Sequence, residues 1–142
     1  MAGFELTLVN EHSPEEALRR VLDLRRHSAV IPFTRVSPPV ELTDLSEGDR
    51  FVARTGLGPI GFDDVMVVRE MQPTDPEPSV TLVKEGRAIR GRIDISTRER
   101  DEGSVLVWRQ EVVLPWLPGW LHGPAIRVIR LGYRRALRTL LA

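Results

Sequence analysis

Residues 79–114 read SVTLVKEGRAIRGRIDISTRERDEGSVLVWRQEVVL. Glu85-Gly86 and Asp101-Glu102-Gly103 are turn sequences, and they divide the stretch into three runs rich in β-branched residues: Ser79 to Lys84, Arg87 to Ser96, and Ser104 to Leu114. Strands joined by turns this short are antiparallel neighbours, because a parallel crossover needs a dozen or more residues. The side chains alternate with a period of two. Ile89, Gly91, Ile93 and Ile95 share one face, with Arg90, Arg92 and Asp94 on the other. Trp108 and Gln110 share one face of the last run, opposite Arg109 and Glu111. A sheet with one face on a core turns its apolar rows inward and its charged rows outward.

The pattern extends upstream. Arg50 to Leu57 and Phe62 to Met71 read as two more strands, separated by Gly58-Pro59. Phe33 to Glu41 is extended and interrupted by Pro38-Pro39. Ser46-Glu47-Gly48 is a turn, and Pro73 to Pro78 is a loop with three prolines. At the start, Phe4, Leu6 and Leu8 alternate with Glu5, Thr7 and Val9 as in a half-buried strand. Ser13-Pro14-Glu15-Glu16 then carries a cap, a proline at the first helical position and a glutamate three residues after the cap. A helix is expected from Pro14 to about Leu24, with Ala17, Leu18, Val21 and Leu22 as its apolar stripe. A second short helical turn covers Leu24 to Ser28.

Downstream, Pro115 to Pro124 is punctuated by proline and glycine. A long helix runs from there to the end. Ile126, Ile129, Tyr133, Ala136, Leu137 and Leu140 recur on one face, and Arg127, Arg130, Arg134 and Arg138 on the other. Strand, helix pair, a run of about six strands and a long helix describe an α+β domain spanning residues 1–142. A twisted sheet curls, and a helix laid across its concave face leaves room for a cavity.

Composition removes several function classes. Twenty basic and twenty acidic residues cancel, so there is no global attraction to nucleic acid. There is no cysteine, which excludes disulfides, thiolate metal sites and a cysteine nucleophile. His12, His27 and His122 do not share metal-ligand spacing, so no metal is expected. No run approaches the roughly 20 apolar residues of a membrane span, and Met1 to Asn10 does not have the pattern of a signal peptide. A soluble, cytoplasmic protein without stable membrane insertion is expected.

Gly56-Leu57-Gly58-Pro59-Ile60-Gly61 matches GxGxxG, but the strand that follows it excludes the dinucleotide fingerprint, which needs a helix there. It reads as a hairpin connection. G-x-S-x-G is absent. Asp63 and Asp64 are adjacent, so they point to opposite faces and do not share a proton or metal; one of them can face inward. His122 lies before the last helix and reads as a surface residue, with lining of the cavity entrance as its functional alternative. Trp108 is the best cavity-wall residue, with a plain core role as its alternative. Tyr133 needs a partner for its hydroxyl if buried. Gly132 costs about 1 kcal/mol in a helix, so it either permits close packing or leaves room for a ligand. The arginine stripe is a solvated helix face, with acidic lipid headgroups or RNA as its functional alternatives.

Several stretches in this order resemble the SRPBCC superfamily of START-like and polyketide cyclase/dehydratase-like proteins. They are Ser13-Pro14-Glu15-Glu16; Leu22-Asp23 with His27 to Thr34; Gly48 to Gly56; Gly61 to Met66; Lys84 to Gly91; Val107-Trp108-Arg109; and the last helix. The resemblance spans nearly the whole chain. It implies a helix-grip fold, in which a curved antiparallel sheet of six or seven strands wraps a long C-terminal helix around a deep hydrophobic cavity. It also implies ligands such as lipids, polyketides or sterols. The tryptophan often seen in the first helix of such proteins is absent, with Leu18 and Val21 in that region.

The expected function is therefore binding of a hydrophobic small molecule, for transport or sensing, by a monomer or homodimer without a cofactor. The expected lining is Phe51, Thr55, Phe62, Met66, Trp108, Gln110, Ile129 and Tyr133. The alternative is a cyclase or dehydratase, with Arg90 or Arg92 polarising a carbonyl and Tyr133 or Asp64 moving a proton. A third reading docks the arginine face on an acidic partner.

Overall fold

The computed structural model describes residues 3–31, 33–57, 59–74 and 76–142. Its strands are β1 (Gly3–Asn10), β2 (Thr34–Ser37), β3 (Arg50–Leu57), β4 (Ile60–Gln72), β5 (Ser79–Glu85), β6 (Arg90–Arg100) and β7 (Gly103–Glu111). Its helices are α1 (Pro14–Val21), α2 (Leu24–Val30) and α3 (His122–Leu141). The strands form one seven-stranded sheet in the order β1-β7-β6-β5-β4-β3-β2, antiparallel throughout. This is a curled half-barrel with a long C-terminal helix and two short helices after the first strand: the helix-grip fold.

Register carries one continuous inner face across the sheet. Leu6 pairs with Trp108, Trp108 with Ile95, and Ile95 with Val80. Ile93 pairs with Leu82 and Gln110, and Phe51 with Met66. All of these are buried. The outer face takes the charges: Arg109 meets Glu5 at 2.8 Å, Arg92 meets Asp94 at 3.0 Å, and Arg54 meets Asp63 at 3.3 Å. The pairing of β4 with β5 shifts register between Val68 and Glu70, a bulge that bends the strand.

The first helix stops earlier than its apolar stripe suggests. It ends at Val21, and Asp23 caps a new helix by accepting from the Arg25 amide, so α2 reaches Val30. Ser13 accepts from the Glu16 amide at 3.2 Å, the cap expected from sequence. Between Phe33 and Glu41 only Thr34–Ser37 is a strand, and Leu42–Asp44 forms a 3-10 turn. The sixth strand starts at Arg90 instead of Arg87, because residues 86–89 form the loop on which Trp116 Nε1 donates to the Ala88 carbonyl at 2.8 Å. Gly91 has φ +141°, and a Cβ there would collide with the Glu111 carbonyl. The seventh strand ends at Glu111, with Val113 bridged to Arg90. The β3–β4 hairpin closes at Leu57 and Ile60 as the glycine-rich stretch implied; Gly58 lies outside the described residues. Asp75 of the proline-rich loop does too.

The two halves of α3 have different surroundings. Ala136, Leu137, Leu140 and Leu141 are buried against α1, α2 and β1. Its last carbonyls take donors from other elements: Arg26 Nη1 donates to Leu140 at 3.1 Å, and His12 Nε2 to Leu141 at 2.6 Å. The Arg26 guanidinium at this helix C-terminus complements its dipole. The N-terminal half, carrying Ile126, Ile129 and Tyr133, is only half-buried. The helix is anchored at one end and roofs the sheet at the other.

Candidate functional site

Beneath that roof lies a cavity of about 520 Å³. Small-molecule sites span roughly 300–1,000 Å³. The sheet supplies its floor from the inner face, and α3 supplies Ile129, Gly132 and Tyr133. His27, Val30 and Ile31 close one side from α2 and its exit.

Every residue expected to line a ligand stands on this wall: Phe51, Thr55, Phe62, Met66, Trp108, Gln110, Ile129 and Tyr133. Asp64 stands there too, buried, whereas Asp63 is turned outward to Arg54, as strand parity requires. Arg90 and Arg92 do not line it. Arg92 is about half-exposed and paired with Asp94, and exposed Arg90 donates to the Gly86 carbonyl. Both alternate with inward Gly91 and Ile93, so the expectation that either arginine polarises a carbonyl inside the cavity is overturned by the parity of β6. His122 is also absent from the wall; its Nε2 lies 3.0 Å from the Leu117 carbonyl and 3.2 Å from that of Leu114, tying down the loop before α3. Among the described residues no ion pair involves Arg127, Arg130, Arg134 or Arg138.

The polar centre of the cavity is Lys84. Its Nζ donates to Asp64 and, at 3.1 Å, to the Tyr133 hydroxyl. The pair is secluded: 1% of the Lys84 side chain and 9% of the Asp64 side chain are exposed. Burial opposes the ammonium, but Tyr133 and Asp64 outweigh it and hold the Lys84 pKa above the usual 10.5. Among the described residues, Asp64 Oδ1 has no hydrogen-bond partner. The Tyr133 ring lies 5.4 Å from the Trp108 ring and 5.8 Å from Phe4, both tilted. Trp108 Nε1 donates to Gln110 Oε1 at 3.1 Å.

The partner of the Tyr133 hydroxyl is thus a lysine, which the sequence reading left in a hairpin. The signal for it was present: Val80, Leu82 and Lys84 share a parity, and two of the three belong in a core. Met66 pairs with Lys84, so Asp64 is its diagonal neighbour. Register alone reveals that contact. His27 was also missed as a wall residue. Its Nε2 donates to the Val21 carbonyl at 2.8 Å, and burial pushes its pKa below the usual 6.5.

No sequence family matches this chain, and no curated protein matches it. Solved structures do. Protein CV1439 from Chromobacterium violaceum aligns with a TM-score of 0.74 at 16% identity, over 99% of this chain and 96% of its own. Ara h 8.0201, a Bet v 1-like protein, aligns at 0.67 and 10% identity over 99% and 97%. DynU16, from the dynemicin biosynthetic locus and polyketide cyclase-like, aligns at 0.61 and 17% identity, over 97% of this chain and 46% of its own. The chain has the SRPBCC-type fold. Among the described residues no helix is long and apolar enough to cross a membrane.

Proposed function

We propose that this chain binds a hydrophobic small molecule in the cavity between α3 and the sheet. The observation that carries this reading is the cavity itself: a space of about 520 Å³, walled mainly by aliphatic and aromatic side chains, under a helix whose buried residues lie in its C-terminal half. Each 40 Å² of apolar ligand surface removed from water contributes roughly 1 kcal/mol. Likeness in fold to a Bet v 1-like and a polyketide cyclase-like protein supports the same reading. Gly132 supports it from within α3. A Cβ there meets nothing within 4 Å, so the glycine leaves space on the cavity side that no neighbour uses.

The test is a fluorescence titration with 1-anilinonaphthalene-8-sulfonate on the wild type and on Gly132→Leu. A leucine at 132 projects into the open space, so the variant is expected to keep its fold and lose at least tenfold in dye affinity. Equal affinity in both proteins argues that the dye sits elsewhere.

A second reading, cyclisation or dehydration of a polyketide-like substrate, draws on Asp64 and Tyr133 meeting at Lys84. A general acid or base works best with a pKa near the working pH, and that of Lys84 is driven upward, away from it. The cluster therefore suits binding better than proton transfer. A candidate ligand recovered from the protein minus one water would favour the enzyme.

A further inference from the structure

The hydrogen-bond census of the cavity constrains the ligand beyond its being apolar. Lys84 Nζ carries three hydrogens: one goes to Asp64, one to Tyr133, and the third has no acceptor among the described residues. The Tyr133 oxygen accepts from the ammonium, so a hydroxyl hydrogen there is left to donate, and among the described residues nothing accepts it. The indole N–H of Trp108 can only donate, so Gln110 must turn its oxygen to Trp108. That leaves the Gln110 amide hydrogens, and among the described residues none of them has an acceptor. Tyr133 and Gln110 are joined through Trp108, whose ring touches the one and whose N–H holds the other. The wall thus offers spare donors on residues that flank Trp108.

Charge is the second constraint. The ammonium that a carboxylate ligand would seek is already neutralised by Asp64, itself nine-tenths buried with Oδ1 unpartnered. An anion brought to Tyr133 would meet an ammonium whose charge a buried carboxylate already balances. The other cation on the wall, Arg135, is exposed at the rim. His27 lends no charge either, since its ring hydrogen is committed to Val21 in an environment that favours the neutral form. From these placements we infer that the cavity selects a neutral ligand whose buried end bears a carbonyl oxygen, received by the Tyr133 hydroxyl and the Gln110 amide, in preference to a free carboxylic acid. This rests on the cavity-binding reading above.

Three probes of nearly one shape test it: 4-(2-naphthyl)butan-2-one, 2-butylnaphthalene and 3-(2-naphthyl)propanoate. Dissociation constants are measured at pH 7 by displacement of the uncharged dye N-phenyl-1-naphthylamine. The ketone is expected to bind about tenfold tighter than the hydrocarbon, the value of a hydrogen bond from a polarised donor. It is expected to bind at least tenfold tighter than the carboxylate. In Tyr133→Phe the advantage of the ketone over the hydrocarbon, compared within that variant, shrinks severalfold. Tightest binding by the carboxylate overturns the inference and makes Lys84 an anion receptor. Equal binding of ketone and hydrocarbon also overturns it, yet leaves the binding function standing. If none of the three binds, the binding function falls as well. The wild-type comparison needs no variant to fold.

Discussion

Lys84 on β5 and Asp64 on β4 are diagonal neighbours on the inner face of the sheet, and they form an ion pair at the wall of the cavity. The other ion pairs among the described residues lie at the surface. A buried pair is costly to break from one side, because the survivor keeps its charge without a counterion. Lys84→Met strands the Asp64 carboxylate and is expected to lower stability by about 3–5 kcal/mol in urea unfolding. The double variant Asp64→Leu/Lys84→Met is expected to recover most of that loss. A double variant as unstable as the single one would show that Lys84 contributes through something other than this pair.

The same lysine fixes the alkaline behaviour. Its folded pKa lies above the ordinary 10.5, so its contribution is fully present below pH 10.5 and is lost as pH rises from there through the folded value. His27 acts at the other end. Its folded pKa lies below the ordinary 6.5, so its contribution is present above pH 6.5 and is lost as pH falls below it. Stability measured across pH is expected to fall on both flanks. The acid flank should be shallower in His27→Gln, and the alkaline flank shallower in Asp64→Leu/Lys84→Met.

Gly132 is a helix-interior glycine in open surroundings. Gly132→Ala is expected to stabilise the protein by about 1 kcal/mol in thermal unfolding, since the helix gains propensity and the methyl meets no neighbour. A loss of stability would mean that α3 packs more closely there than its open surroundings imply.

The arginines of β6 serve as the negative control. Arg90→Ala and Arg92→Ala remove outward side chains and are expected to leave ligand affinity within twofold of wild type. The tryptophans give the readout. Trp116 and Trp120 are exposed and Trp108 is buried at the wall, so Trp116→Phe/Trp120→Phe leaves one reporter inside the site. Its emission is expected to be blue-shifted and to change on ligand addition. An unchanged spectrum at saturating ligand would place the ligand away from Trp108.

Much of this was legible in the sequence because it rests on local rules. Period-two alternation and short turns specify antiparallel strands, and Arg50–Leu57 matched its expected bounds to the residue. The Ser13 cap and the two faces of α3 were equally local. The aromatic wall followed from parity once an inner face was assigned. What escaped depended on register between strands. Nothing near Lys84 in the chain announces that Asp64 and Tyr133 surround it, because those partners are 20 and 49 residues away. Arg90 and Arg92 were drawn toward the cavity by chemistry, although their alternation with Ile93 and Ile95 already turned them out. The end of α1 was missed for a different reason: Asp23 is an N-cap only if the chain turns there, and the apolar stripe continues past Val21 to Leu22.

The binding of a hydrophobic small molecule is tested most directly by native mass spectrometry of the freshly purified protein, compared with its denatured mass. The account predicts a native mass exceeding that of the chain by one small molecule, released on denaturation, or acquired stoichiometrically when 4-(2-naphthyl)butan-2-one is added. A bare chain mass in both conditions, with the fold intact, would contradict it.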